Sequence, residues 1–96
     1  MIREAVVAAL RELADSLGSI AEGSEWHLFG SLDRNEPNAA DIDLMILCKT
    51  DRQADALRRA IDVDSLAMPL HLALFTFDEA TKIAAVSLQR SRRVFP

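Results

Sequence analysis

A single cysteine, Cys48, is all the chain offers for disulfide chemistry. No internal disulfide can form, and a reducing compartment suits it. Cys48 ends an apolar run and reads as a small core residue rather than a nucleophile. No apolar stretch approaches the roughly 20 residues that cross a bilayer. The first residues are acidic and helix-forming, unlike a signal peptide, so the expectation is a soluble, cytoplasmic protein without membrane attachment. Basic charge is also scarce: the net charge is −4 and the pI about 5.0, which argues against broad, sequence-blind nucleic-acid binding. The one basic concentration, Arg90, Arg92 and Arg93, reads as a solvated helix end, where cations complement the helix dipole. Repeats, low-complexity segments and linkers are missing too. The 96 residues are expected to form one domain, residues 1–96.

Hydrophobic residues make up half of the chain, which fits either a well-filled core or a core plus an apolar surface for a partner. Ile2, Val6, Leu10, Leu13 and Leu17 recur at steps of four, four, three and four, predicting a helix ended by Gly18. "EWHLFG" reads as a short strand closed by Gly30. The polar segment from Ser31 to Ala40 is a loop or short helix. Asp41 to Cys48 is a second strand. Thr50 with Gln53 forms a candidate capping box for a helix through about Ile61. Pro69 to Phe77 is a third strand, and Thr76 with Glu79 a second capping box for a helix to about Ser91. The order is α-β-(turn)-β-α-β-α, an α+β (two-layer α/β) domain with a short three-stranded sheet. The short first connection permits antiparallel pairing; the helical crossover to the third strand suits parallel pairing, so the sheet is expected to be mixed.

Strand interiors are depleted in aspartate, yet the second strand begins Asp-Ile-Asp. Residues two apart on a strand share a face, so Asp41 and Asp43 aim together, with Met45 and Leu47 behind them. Two neighbouring carboxylates repel unless a cation lies between them. Mg²⁺ suits the position, since it takes oxygen ligands and often binds one or two carboxylates plus substrate phosphates. About ten residues earlier, Gly30 and Ser31 close the first strand, and glycine lets the backbone approach a ligand closely. A phosphate site beside a metal site suggests nucleoside triphosphate chemistry.

"FGS", "DIDLMIL" and then "PLHLALFT" followed by "DEA" resemble, in order, the elements of the DNA polymerase β-like nucleotidyltransferase superfamily. The resemblance is to its minimal nucleotidyltransferase group in particular. It implies the nucleotidyltransferase fold and metal-dependent transfer of a nucleoside monophosphate, AMP from ATP, to a hydroxyl. It also implies two metal ions, Mg²⁺ or Mn²⁺, held by three carboxylates. Asp41 and Asp43 would bind metal, and Gly30 and Ser31 would contact the triphosphate, with Arg34 beside them. Many minimal members are antitoxins paired with a helical HEPN-type toxin, so such a partner is expected, with self-association as the alternative.

The sequence also departs from that pattern. The third carboxylate belongs in the third strand, where "MPLHLALFT" offers His71 instead. Alternation places His71 with Ala73 and Phe75 on one face, and Leu70, Leu72 and Leu74 on the other. Histidine is a poor Mg²⁺ ligand, although it suits Mn²⁺ or Zn²⁺ better and can act as a base; its plain reading is a half-buried strand residue. Asn35 follows Arg34 where the family often has glycine, and asparagine tolerates left-handed backbone. Asp62 and Asp64 read as turn residues, His27 as a satisfied strand histidine, and Trp26 as core or interface. The alternative function is a catalytically weak nucleotidyltransferase-fold module that acts by binding a partner.

Overall fold

The computed structural model describes residues 2–96. Its elements are α1 (Ile2–Leu17), a 3₁₀ turn (Gly18–Ile20), β1 (Glu25–Phe29), α2 (Gly30–Asp33), β2 (Ile42–Cys48), α3 (Asp51–Ala60), β3 (Leu70–Thr76), α4 (Phe77–Lys82), α5 (Ala85–Leu88) and β4 (Arg92–Phe95). The sheet order is β3-β2-β1-β4. β1 runs antiparallel to β2 and to β4, while β2 and β3 are parallel, joined by the α3 crossover. The expected mixed α+β architecture is the one observed. No helix among the described residues is long and apolar enough to cross a membrane.

Period-2 alternation divides the sheet into two faces. On one face Leu28, Ile42, Leu44, Ile46 and Leu70 join Val6, Leu10 and Ala14 of α1 and Ala54 and Leu57 of α3 in the main core. Trp26 is fully buried there; its indole N–H donates to Ser24 Oγ at 3.0 Å, and its ring meets Phe95 edge-on at 5.8 Å. On the other face Met45 and Leu47 pack with Phe29, Phe75, Ala80 and Ala85, beneath α4 and α5. Of the α1 stripe, Val6 and Leu10 are buried, Leu13 and Leu17 pack half-buried against the core, and Ile2 at the start is 63% exposed. Cys48 lies in the main core, and burial pushes its thiol up to about 11, with Arg58 pulling it slightly down and Glu79 slightly up.

The chain beyond β3 corrects the sequence reading in two ways. The single helix expected to reach about Ser91 stops at Lys82, Ala84 adopts a left-handed conformation (φ 51°), and one further turn forms α5. Arg92 and Arg93 lie in a fourth strand rather than at a helix end, and Arg90 turns into it with φ 51°. The cause is tertiary. β4 pairs with β1, buries Val94 in the main core, and accepts a 2.8 Å hydrogen bond from Arg11 Nε at the Val94 carbonyl. Local helix propensity carries no record of such long-range pairing.

The two capping boxes differ. Thr76 and Glu79 bond reciprocally, the Glu79 N–H donating to Thr76 Oγ1 at 3.1 Å and the Thr76 N–H to Glu79 Oε1 at 2.8 Å. At α3, Thr50 Oγ1 accepts from the Gln53 N–H at 3.0 Å, but the Gln53 side chain leaves the box. Its oxygen accepts from the Lys49 N–H, and its amide donates to the carbonyls of Ile20 and Glu22, tying α3 to the turn before β1. Asp62 forms an Asx turn with the Asp64 N–H at 2.9 Å, as expected of turn residues.

Candidate active site at the Gly-Ser turn and the Asp-x-Asp strand

Gly30 ends β1 and opens α2 with φ +79°, a conformation that residues with a Cβ rarely adopt. Its missing side chain has a specific consequence. A Cβ at Gly30 would overlap Oδ2 of Asp43 and stand 3.1 Å from its Cγ. The Asp43 carboxylate thus lies in a cradle made by the bare backbone of the Gly-Ser turn. The antiparallel register explains the approach, because Phe29 pairs with Asp43 and Gly30 follows directly.

Asp43 is half-buried, and among the described residues its carboxylate has neither an ion pair nor a hydrogen bond. Its parallel neighbour on β3 is His71, so the two side chains share one face of the sheet. Asp41 precedes β2 instead of opening it, since the strand starts at Ile42. It reaches the same side nonetheless: Asp41 Oδ2 lies 3.5 Å from His71 Nε2. That pair is open to solvent, with side chains 51% and 62% exposed, so its contribution to stability is small. The structure therefore brings Asp41, Asp43, His71 and Gly30 to one end of the sheet. Among the described residues no group of three His, Cys, Asp or Glu is assembled to hold a metal ion.

Ser31 sits in the first turn of α2, and its hydroxyl is without a hydrogen-bond partner among the described residues. Its carbonyl accepts from the Glu36 N–H at 3.0 Å, which closes the turn. Asn35 takes the left-handed conformation expected of it, with φ 60°. Arg34 is exposed, and its Nε donates to the Glu36 carboxylate at 2.6 Å. His27 is buried as a satisfied strand histidine, with Nε2 3.1 Å from Glu25 Oε1 and Nδ1 3.4 Å from Ser91 Oγ.

One residue of this region escaped the sequence reading. Asp33, the last residue of α2, is 2% exposed. Arg3 of α1 donates to its Oδ1 from Nε at 3.1 Å and Nη2 at 3.0 Å. Arg92 of β4 donates from Nε to Oδ1 at 3.1 Å and Oδ2 at 3.0 Å, and from Nη2 to the Asp33 carbonyl. In "GSLDR" nothing local marks Asp33 as buried, because its partners lie 30 and 59 residues away.

A glycine turn against an aspartate strand, on a mixed sheet covered by helices, is the arrangement of a nucleotidyltransferase domain. The family model with that description, nucleotidyltransferase domain, matches residues 10–95, and the chain belongs to this family. Comparison with curated proteins and with solved structures finds no match.

Proposed function

We propose that the chain transfers a nucleoside monophosphate, AMP from ATP, to a hydroxyl acceptor, with Asp41 and Asp43 as metal ligands and Gly30 and Ser31 at the triphosphate. The observation that carries this reading is the unpaired, half-buried Asp43 carboxylate held against the bare backbone of Gly30. Because no unpartnered polar side-chain atom is buried among the described residues, the Asp43 oxygens stay open to solvent, and a cation can approach them directly and share them with a substrate phosphate. Two carboxylates at one sheet end are also the donor set that Mg²⁺ or Mn²⁺ takes alongside substrate phosphates. When bound, the metal would neutralise phosphate charge and align the attacking hydroxyl. The chain's own contribution is to hold Asp43 rigidly on β2 and to leave the Ser31 hydroxyl free for a phosphate oxygen. In this reading His71, in register with Asp43 and in contact with Asp41, takes the role of base for the acceptor hydroxyl.

A second reading rests on His71 itself. An imidazole offers no negative charge where a third carboxylate would attract a second cation, which favours a domain with weak catalysis that acts by covering a partner. An apolar-rich composition supports that reading, and a HEPN-type helical protein is the partner it implies, in an antitoxin role within a cytoplasmic pair. Incubation with Mg²⁺ or Mn²⁺ and ATP labelled at the α-phosphate, with and without a co-expressed helical partner, separates the two. Label on an acceptor that disappears in Asp43→Ala supports transfer. A stable complex without label supports the binding module.

A further inference from the structure

The four residues of α2 cannot hold their own conformation. A helix of one turn has no cooperative stability, and its N-cap, Phe29, makes no side-chain capping bond. Whatever fixes the Gly30–Ser31 turn must therefore come from outside α2. Leu32 supplies part of the anchorage by burial in the main core. The rest comes from Asp33.

Asp33 is the one carboxylate among the buried residues described. A buried carboxylate is tolerated only when paired and hydrogen-bonded, and here two guanidinium groups converge on it. Arg3 approaches from α1 and Arg92 from β4, so the end of α2 is gripped by both ends of the described chain. The grip passes directly to the turn. The Arg34 N–H, one residue beyond Asp33, donates to the Gly30 carbonyl at 3.1 Å, and the Glu36 N–H donates to the Ser31 carbonyl at 3.0 Å.

We infer that Asp33, clamped by Arg3 and Arg92, is a positioning residue that sets the Gly30–Ser31 turn against the Asp43 carboxylate and thereby supports nucleotide binding. Asp33 touches neither Asp43 nor a phosphate; it acts through the backbone of the turn. The inference rests on the reading that this turn receives the triphosphate, and its test separates the two ideas.

The test compares the wild-type chain with Asp33→Asn, which keeps the shape and removes the charge, and with Arg92→Met, which removes one half-exposed partner and leaves Arg3 in place. Amide hydrogen exchange is read at Arg34 and Glu36, whose N–H groups close the turn, and at Leu44 and Ile46 in the central strand. ATP affinity with Mg²⁺ is measured by calorimetry. The expected result is at least a tenfold faster exchange at Arg34 and Glu36, well beyond any change at Leu44 and Ile46, with at least a tenfold weaker ATP affinity. Equal acceleration at all four amides, or no acceleration at Arg34 and Glu36, overturns the inference and leaves Asp33 as a general stabiliser. If Asp33→Asn does not fold, Arg92→Met decides by the same comparison. If the wild-type chain binds no ATP, the triphosphate reading fails, while the exchange contrast still decides whether Asp33 positions the turn.

Discussion

Gly30 and Asp43 are packed so closely that a methyl group on the first would occupy the space of a carboxylate oxygen on the second. The contact joins the two halves of the motif, the Gly-Ser turn and the Asp-x-Asp strand, and the register between β1 and β2 enforces it.

Gly30→Ala tests that contact. An L-residue held at a left-handed φ costs about 1–2 kcal/mol, and the added Cβ must also displace Asp43. The expected result is a stability loss of about 1–3 kcal/mol by urea unfolding, together with loss of Mg²⁺-dependent ATP binding. Gly18→Ala is the control. Gly18 has φ +57° with open space around the missing Cβ, so it should lose stability alone and keep nucleotide affinity.

His71→Asp tests the place of His71 beside the metal ligands. A carboxylate at position 71, in register with Asp43 and on the side that Asp41 reaches, adds charge where a hard cation would bind. Calorimetric Mg²⁺ affinity should rise about tenfold, equivalent to roughly 1.4 kcal/mol. An unchanged affinity would remove His71 from the site.

Cys48 supplies a pH prediction. Its thiol is pushed up to about 11 from an ordinary value of 9.0, chiefly by burial. The neutral form is favoured in the fold, so this stabilisation is fully present below pH 9 and is lost as the pH rises through 11. The whole effect is about 2–3 kcal/mol at 1.36 kcal/mol per pH unit. Urea midpoints of wild type should fall between pH 9 and 11 more steeply than those of Cys48→Ala. In the native chain at pH 8 the thiol should resist an alkylating reagent that modifies it rapidly after unfolding.

Much of this fold can be read from local pattern. The α1 stripe, the Gly18 stop, the three longer strands and the Thr76–Glu79 box are each written in a few consecutive residues. The Gly30, Asp41, Asp43 and His71 cluster is legible for the same reason, since strand alternation and a short turn bring those residues together. What escaped depends on partners distant in sequence. β4 exists because β1 offers a free edge and the core accepts Val94. Asp33 is buried because Arg3 and Arg92 reach it from opposite ends of the described chain. Gln53 leaves its capping box for carbonyls more than thirty residues earlier. Asp41 lies one residue outside the strand predicted to contain it, because the ladder begins at Ile42 opposite Leu70.

The most direct measurement is calorimetric titration of ATP into the wild-type chain and into Asp43→Asn, each with Mg²⁺ and with a chelator. Thermal melts run alongside to show that both remain folded. The account predicts binding by the wild type that requires the metal, and a loss of at least tenfold, about 1.4 kcal/mol, in Asp43→Asn at an unchanged fold. ATP binding that ignores both the chelator and the Asp43 substitution would contradict it, as would no binding by the folded wild type.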